Sequence, residues 1–110
     1  MKDLIYLING AENQYKIGIT SEKGLKTRMK HIQTGNPCVL TLTSTYKTKY
    51  ASLIERTLHR ELISKRKSGE WFSLDNNDVA LFIERCVAIE KNIDLLKEQN
   101  NDYILKILKY

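Results

Sequence analysis

Three polar side chains stand where the surrounding apolar pattern calls for something else, and each suits phosphate chemistry. Glu55 falls between Ala51 and Leu58, within or against the apolar stripe of a helix. A carboxylate there is costly unless hydrogen bonds or a cation compensate it. It therefore pairs with a nearby Lys or Arg, or it holds a hard metal ion. Arg28 flanks a second apolar stripe, between Leu25 and Ile32, with His31 further along the same helix. Its stem could lie on apolar surface, or its planar fork could grip a phosphate. Tyr6 interrupts the aliphatic run Leu4-Ile5-Tyr6-Leu7-Ile8, and its hydroxyl needs a partner if it is buried.

The elements that must position these residues follow from spacing and punctuation. Leu4 to Ile8 reads as a strand buried on both faces. Asn9-Gly10 turns the chain into a second strand over Tyr15 to Thr20, so the two form an antiparallel hairpin. Ser21 is a helix-capping residue for a helix in which Leu25, Met29 and Ile32 recur at helical spacing. Gly35-Asn36-Pro37 stops that helix. Val39 to Tyr46 is β-branched and partly alternating, which predicts a third strand. A long helix is expected over residues 48–65, with Ala51, Ile54, Leu58 and Leu62 on one stripe. The segment from Lys65 to Gly69 is a loop, and Trp71 to Leu74 a short extended or turn segment. Asp75 and Asp78 start an amphipathic helix. Tyr103, Ile104, Ile107 and Leu108 suggest a last short helix. The expected class is α/β (α+β): a three-stranded antiparallel sheet flanked by helices, in the order ββαβα plus C-terminal helices. Residues 1–74 would form the core, and residues 75–110 a helical extension packed on the same single domain.

A chain of 110 residues can close one hydrophobic core, and 42% hydrophobic with 28% charged residues is ordinary for a soluble domain. No apolar run approaches the roughly 18 residues needed to cross a bilayer. The N-terminal apolar run is also too short for a signal peptide. No membrane partner is expected, and the expected location is cytoplasmic. Cys38 and Cys86 are far apart, fit no metal spacing and read as reduced core thiols. The net charge of +5 is unevenly spread: residues 1–74 hold 13 Lys and Arg against 6 acids, while residues 75–110 hold 5 against 7. The basic excess belongs to the part of the chain that carries Tyr6, Arg28 and Glu55, as a phosphate-binding face requires.

The ordered set Leu4-Ile5-Tyr6, Lys16-Ile17-Gly18, Arg28 and Glu55 resembles the GIY-YIG nuclease superfamily. The phrases Tyr15 to Thr20, Gln33-Thr34-Gly35-Asn36-Pro37, Glu55 to His59 and Gly69-Glu70-Trp71-Phe72 are similar to its short phage and bacterial branch, which has a KIG-type second motif. The resemblance covers residues 4 to about 74. It implies an endonuclease that hydrolyses DNA phosphodiester bonds with one Mg²⁺ (or Mn²⁺) held by Glu55, the ion stabilising the leaving 3′ oxygen. It further implies Tyr6 as general base and Arg28 as phosphate clamp, with Lys16 and Arg28 lowering the tyrosine's pKa. The sequence departs from the pattern in three places. Leu4 stands where the family's first tripeptide has glycine, a change harmless to the chemistry. Lys16 stands where many members have tyrosine. Ile32 stands where many place His or Tyr, with His31 one residue earlier. His59, one turn after Glu55, either orients a metal-bound water or caps a polar cluster. Lys26, Lys30, Lys65, Arg66 and Lys67, with Lys47 and Lys49, are expected along the DNA backbone. Trp71 either closes the core or offers a stacking platform, and Glu70 is a structural acceptor or part of the rim. Tyr103 to Tyr110 is expected to form a homodimer contact. A binding module of the same fold that has lost cleavage, and a regulatory protein using its basic face on an acidic partner, are the alternatives.

Overall fold

The computed structural model describes residues 1–99. The hairpin forms as its sequence requires: β1 (Leu4–Asn9) pairs antiparallel with β2 (Gln14–Thr20), Tyr6 facing Gly18 and Ile8 facing Lys16. The turn between them is braced by Asn9, whose amide donates to the carbonyls of Glu12 at 3.0 Å and Gln14 at 3.1 Å. β3 (Thr41–Lys47) pairs with the other side of β1, leaving β1 an interior strand buried on both faces.

Two short strands extend the sheet. β4 (Arg66–Ser68) and β5 (Trp71–Ser73) form a second hairpin, and β5 joins β2 through Lys16↔Trp71, Tyr15↔Phe72 and Gln14↔Ser73. The sheet is thus five-stranded and antiparallel, in the order β3-β1-β2-β5-β4, which corrects the expected three-stranded sheet. The reason is length. Three residues per strand are too few for an alternation to show, and Lys65 to Gly69 is polar enough to look like open loop. Gly69 turns the hairpin with a φ of 55°, in the left-handed region glycine favours.

Helices cover both faces. α1 (Leu25–Thr34) lays Leu25, Met29 and Ile32 against a small cluster made by Tyr6, Ile8 and Leu40. α2 (Ala51–Glu61) buries Ala51, Ile54 and Leu58 on the opposite face against Ile5, Leu7, Ile17 and Phe72, and Leu62 follows it into the same core. The helix expected over residues 48–65 is shorter than its pattern suggested, ending in a single 3₁₀ turn at Ile63–Lys65. The C-terminal amphipathic pattern is broken into α3 (Asn76–Ala80) and α4 (Phe82–Glu98). α4 adds Phe82, Cys86, Ile89 and Ile93 to the larger core. Burial pushes the Cys86 thiol up to about 12, so it is an inert core group, whereas Cys38 is half-buried in a loop. The residues from Tyr103 to Tyr110, expected to make a last helix and a dimer contact, lie outside the described residues. Among the described residues, no helix is long and apolar enough to cross a membrane.

Two polar seams hold the helices in place. Tyr46 and Thr48 both donate to Glu90, and Tyr50 donates to Asp94 at 2.8 Å, clasping α4 to the end of β3 and the start of α2. At α3 the expected capping residues form a reciprocal box: Asp75 accepts from the Asp78 amide at 2.8 Å, and Asp78 accepts from the Asp75 amide at 3.2 Å. Lys65 and Arg85 both reach the buried Asp78 carboxylate. Burial pushes that carboxyl up, but the Lys65 ammonium and the Asp75 amide outweigh burial and hold it below its ordinary value. Such a carboxylate stabilises the fold above its unfolded pKa, and the contribution is lost as pH falls through the lower folded value. Asp78→Asn should therefore cost about 1–3 kcal/mol at pH 7 and make urea stability flatter at acid pH. An unchanged acid limb in the variant would exclude Asp78 as its source.

Candidate active site

The polar residues singled out above come from β1, α1 and α2, and they are linked by one hydrogen bond and by their mutual fields. Tyr6 is fully buried on β1, and its hydroxyl accepts a long hydrogen bond from Arg28 Nε at 3.4 Å. Arg28 reaches it from α1 with its guanidinium otherwise turned to the outside, because Leu25, Met29 and Ile32 take the helix's apolar stripe. The fields of Glu55 and Glu70 are felt at both Tyr6 and Arg28, so the four groups form one electrostatic cluster.

Room for the phenol comes from the strand opposite. A methyl group on Gly18 would lie 2.3 Å from the Tyr6 hydroxyl oxygen and 2.5 Å from Cζ. The last residue of the Lys16-Ile17-Gly18 motif is therefore a steric requirement of Tyr6, its cross-strand partner. Gly18→Ala should destabilise the protein by about 1–3 kcal/mol and displace the Tyr6–Arg28 contact. Urea denaturation checks this, and a wild-type midpoint in the variant would mean that the close approach is absent in solution.

Glu55 projects from α2 beside its buried stripe, and its Oε2 is buried without a hydrogen-bond partner. Burial, then the charge of Glu70, pushes its carboxyl up to about 7, against the smaller opposing pull of Lys2, Arg56 and Lys16. An orphaned carboxylate oxygen on which a second carboxylate acts more strongly than any single cation is a donor set short of a cation. It fits a hard divalent ion whose remaining positions are filled by water and phosphate oxygens. Among the described residues no group of three or more His, Cys, Asp and Glu gathers as a self-sufficient metal cage.

Glu70 is the member that sequence reasoning left undecided. It sits in the β4–β5 turn, tied to β2 through its carbonyl, which accepts from the Ile17 amide at 3.1 Å. Its carboxylate pairs with the Lys16 ammonium at 3.1 Å, and Lys16 also lies 5.7 Å from the Trp71 ring centroid. A turn residue has no periodicity to betray its direction, so only the pairing of β5 with β2 brings Glu70 to the cluster. The same pairing turns Lys16 to Glu70 and Trp71. The pKa of Tyr6 consequently differs from the expected lowering: burial raises it, and Arg28 offsets only part of that.

The remaining residues are placed apart from this cluster or used inside the fold. His59 Nε2 is 3.0 Å from the Ile17 carbonyl, and its ring packs on Phe72 at 5.0 Å, clasping α2 to the sheet. His31 is exposed on α1, and Ile32, not His31, faces the smaller core. Lys26 and Lys30 are exposed on the helix that bears Arg28, and Lys67 is exposed on β4. Lys65 is taken by Asp78, and Arg66 Nε donates to the Gly69 carbonyl at 2.8 Å within the hairpin.

A five-stranded antiparallel α+β sheet that sets a phenol, a guanidinium and a half-buried carboxylate on neighbouring elements is the class of small domain that fold and site define. Within that class the chain belongs to the T5orf172 domain family, whose model matches residues 3–87. That family is compatible with a nuclease-like, DNA-binding role. No curated protein and no solved structure matches the chain.

Proposed function

We propose that the protein is a metal-dependent DNA endonuclease of the GIY-YIG type, as its ordered motifs suggest. The observation that carries this reading is the buried, unpartnered Oε2 of Glu55, a carboxylate whose field reaches the Tyr6–Arg28 pair. Glu55 would hold one Mg²⁺ or Mn²⁺, and the bound ion would offset charge on the leaving oxygen. Arg28 would orient the scissile phosphate through its outward guanidinium edge and spread the charge that develops there. Tyr6 would take the proton of the attacking water. The buried phenol must first lose its own proton, and Arg28 is the neighbour that stabilises the resulting phenolate.

A test is plasmid nicking in Mg²⁺ or Mn²⁺ by the wild type and by Glu55→Ala. Wild-type nicking that vanishes in the variant is expected. No nicking in either metal, or equal nicking by both proteins, would sink the reading. The second reading, a DNA-binding module of the same fold without cleavage, is favoured by one observation: burial keeps Tyr6 protonated more firmly than a free tyrosine. It predicts binding to DNA that weakens steeply with salt and no nicking at any pH.

A further inference from the structure

Beside the cluster lies a cleft of about 290 Å³ between the α1–β3 loop and the β4–β5 hairpin, walled by Gln14, Asn36, Pro37, Cys38, Lys67 and Trp71. Its size is at the lower end of ligand pockets, which run from roughly 300 to 1,000 Å³, so it has room for one ring system. We propose that it takes a single unpaired nucleobase of a DNA strand, stacked on Trp71 with the adjoining phosphate on Lys67. The idea rests on the nuclease reading and deepens it by naming the form of DNA that the site prefers.

Three features argue for this occupant. Trp71 is half-buried, anchored in the smaller core, and still lines the cleft, so its ring is a fixed platform. Anchored aromatics of this kind stack on any base, because every base has a π-face. The opposite wall is also pre-built. Gln33 donates to the carbonyls of Asn36 at 3.3 Å and Cys38 at 2.8 Å and accepts from the Leu40 amide at 2.9 Å, while the Cys38 amide donates to Asn36 Oδ1 at 3.0 Å. With its Oδ1 engaged, Asn36 keeps its amide N–H groups as donors for a base edge. Finally, the cleft adjoins the cluster through Trp71 itself, which follows Glu70 and lies under the Lys16 ammonium. A base held there lies on the side of the cluster that carries Lys16 and Glu70. A base still paired in a duplex cannot enter without leaving its stack, so an already unpaired base avoids that cost.

The experiment uses the intact protein in EDTA, which removes cleavage from the readout. A DNA strand carrying one 2-aminopurine is titrated with protein, either single-stranded or with that base paired in a duplex. Trp71 is the chain's one tryptophan, so its own fluorescence reports the same contact. Both signals should be quenched by the single strand, with binding roughly 5- to 150-fold tighter than to the duplex. Trp71→Phe should keep part of the 2-aminopurine quenching. Ser68→Phe, which fills the cleft from an exposed rim position without entering the core, should abolish it. Equal affinity for both forms, or undiminished quenching in Ser68→Phe, would overturn the proposal. If quenching is found and plasmid nicking is not, the nuclease reading fails and the base subsite stands. If duplex is nicked but no strand quenches, the reverse holds.

Discussion

Glu55→Gln is expected to abolish metal-dependent cleavage while making the metal-free protein more stable at neutral pH. Both effects have one origin. Burial and Glu70 push the Glu55 carboxyl up to about 7, from an ordinary value of 4.5. Between those two values the folded state holds a proton that the unfolded chain releases. Stability therefore falls as pH rises across that window and stays reduced above it. Glu55 is partly solvated, and with screening discounted the cost is on the order of 1–2 kcal/mol. Glutamine cannot ionise and escapes it. The same substitution removes the anionic ligand, so nicking should fall on the order of a thousandfold or more. Urea denaturation without metal at pH 5 and pH 8 checks the stability half: wild type should be weaker at pH 8, and the variant indifferent. Mg²⁺ should then raise the wild-type midpoint at pH 8 and leave that of the variant unmoved. Coincident wild-type curves at the two pH values would show that Glu55 is not desolvated.

Tyr6→Phe should lower cleavage by about 10²–10⁴-fold, the range spanned by a lost general base, while keeping the fold. Phenylalanine fills the same space against Gly18 and sacrifices only the long bond from Arg28, at about 0.5–1.5 kcal/mol. The pH profile separates base from bystander. Burial raises the Tyr6 pKa above its ordinary 10.0 despite Arg28, so the phenolate is scarce at neutral pH. Its fraction grows tenfold with each pH unit until that raised value is reached. Once Glu55 is ionised, above about pH 8, the logarithm of the single-turnover rate should climb with a slope near one and no plateau below pH 9. A plateau already at pH 8, or a Tyr6→Phe variant within a few-fold of wild type, would assign the base to another group.

These two residues also show how far the sequence reaches. Tyr6 and Glu55 were conspicuous because each breaks a local pattern: a phenol in an aliphatic strand, a carboxylate on an apolar stripe. Strand β1, the β1–β2 hairpin, α1 and the Ala51-Ile54-Leu58 face of α2 were legible for the same reason, since a run or period long enough to see is a burial pattern long enough to fold. The capping box at Asp75 and Asp78 was legible because it closes within four residues.

What the sequence could not reveal is what depends on partners distant along the chain. The strands β4 and β5 are too short to announce themselves, and they exist because β5 completes an edge that β2 offers. That pairing alone brings Glu70 to Lys16 and moves Lys16 away from the helper's role expected beside Tyr6. It also seats Trp71 by the cluster. Gly18 looked like part of a motif, and only the register with β1 makes it the space that Tyr6 occupies. By itself the sequence determined which residues are chemically out of place, because polarity and period are local properties. The tertiary structure decided which of them meet and how Glu55 and Tyr6 are charged, because burial and cross-strand contact belong to the assembled sheet.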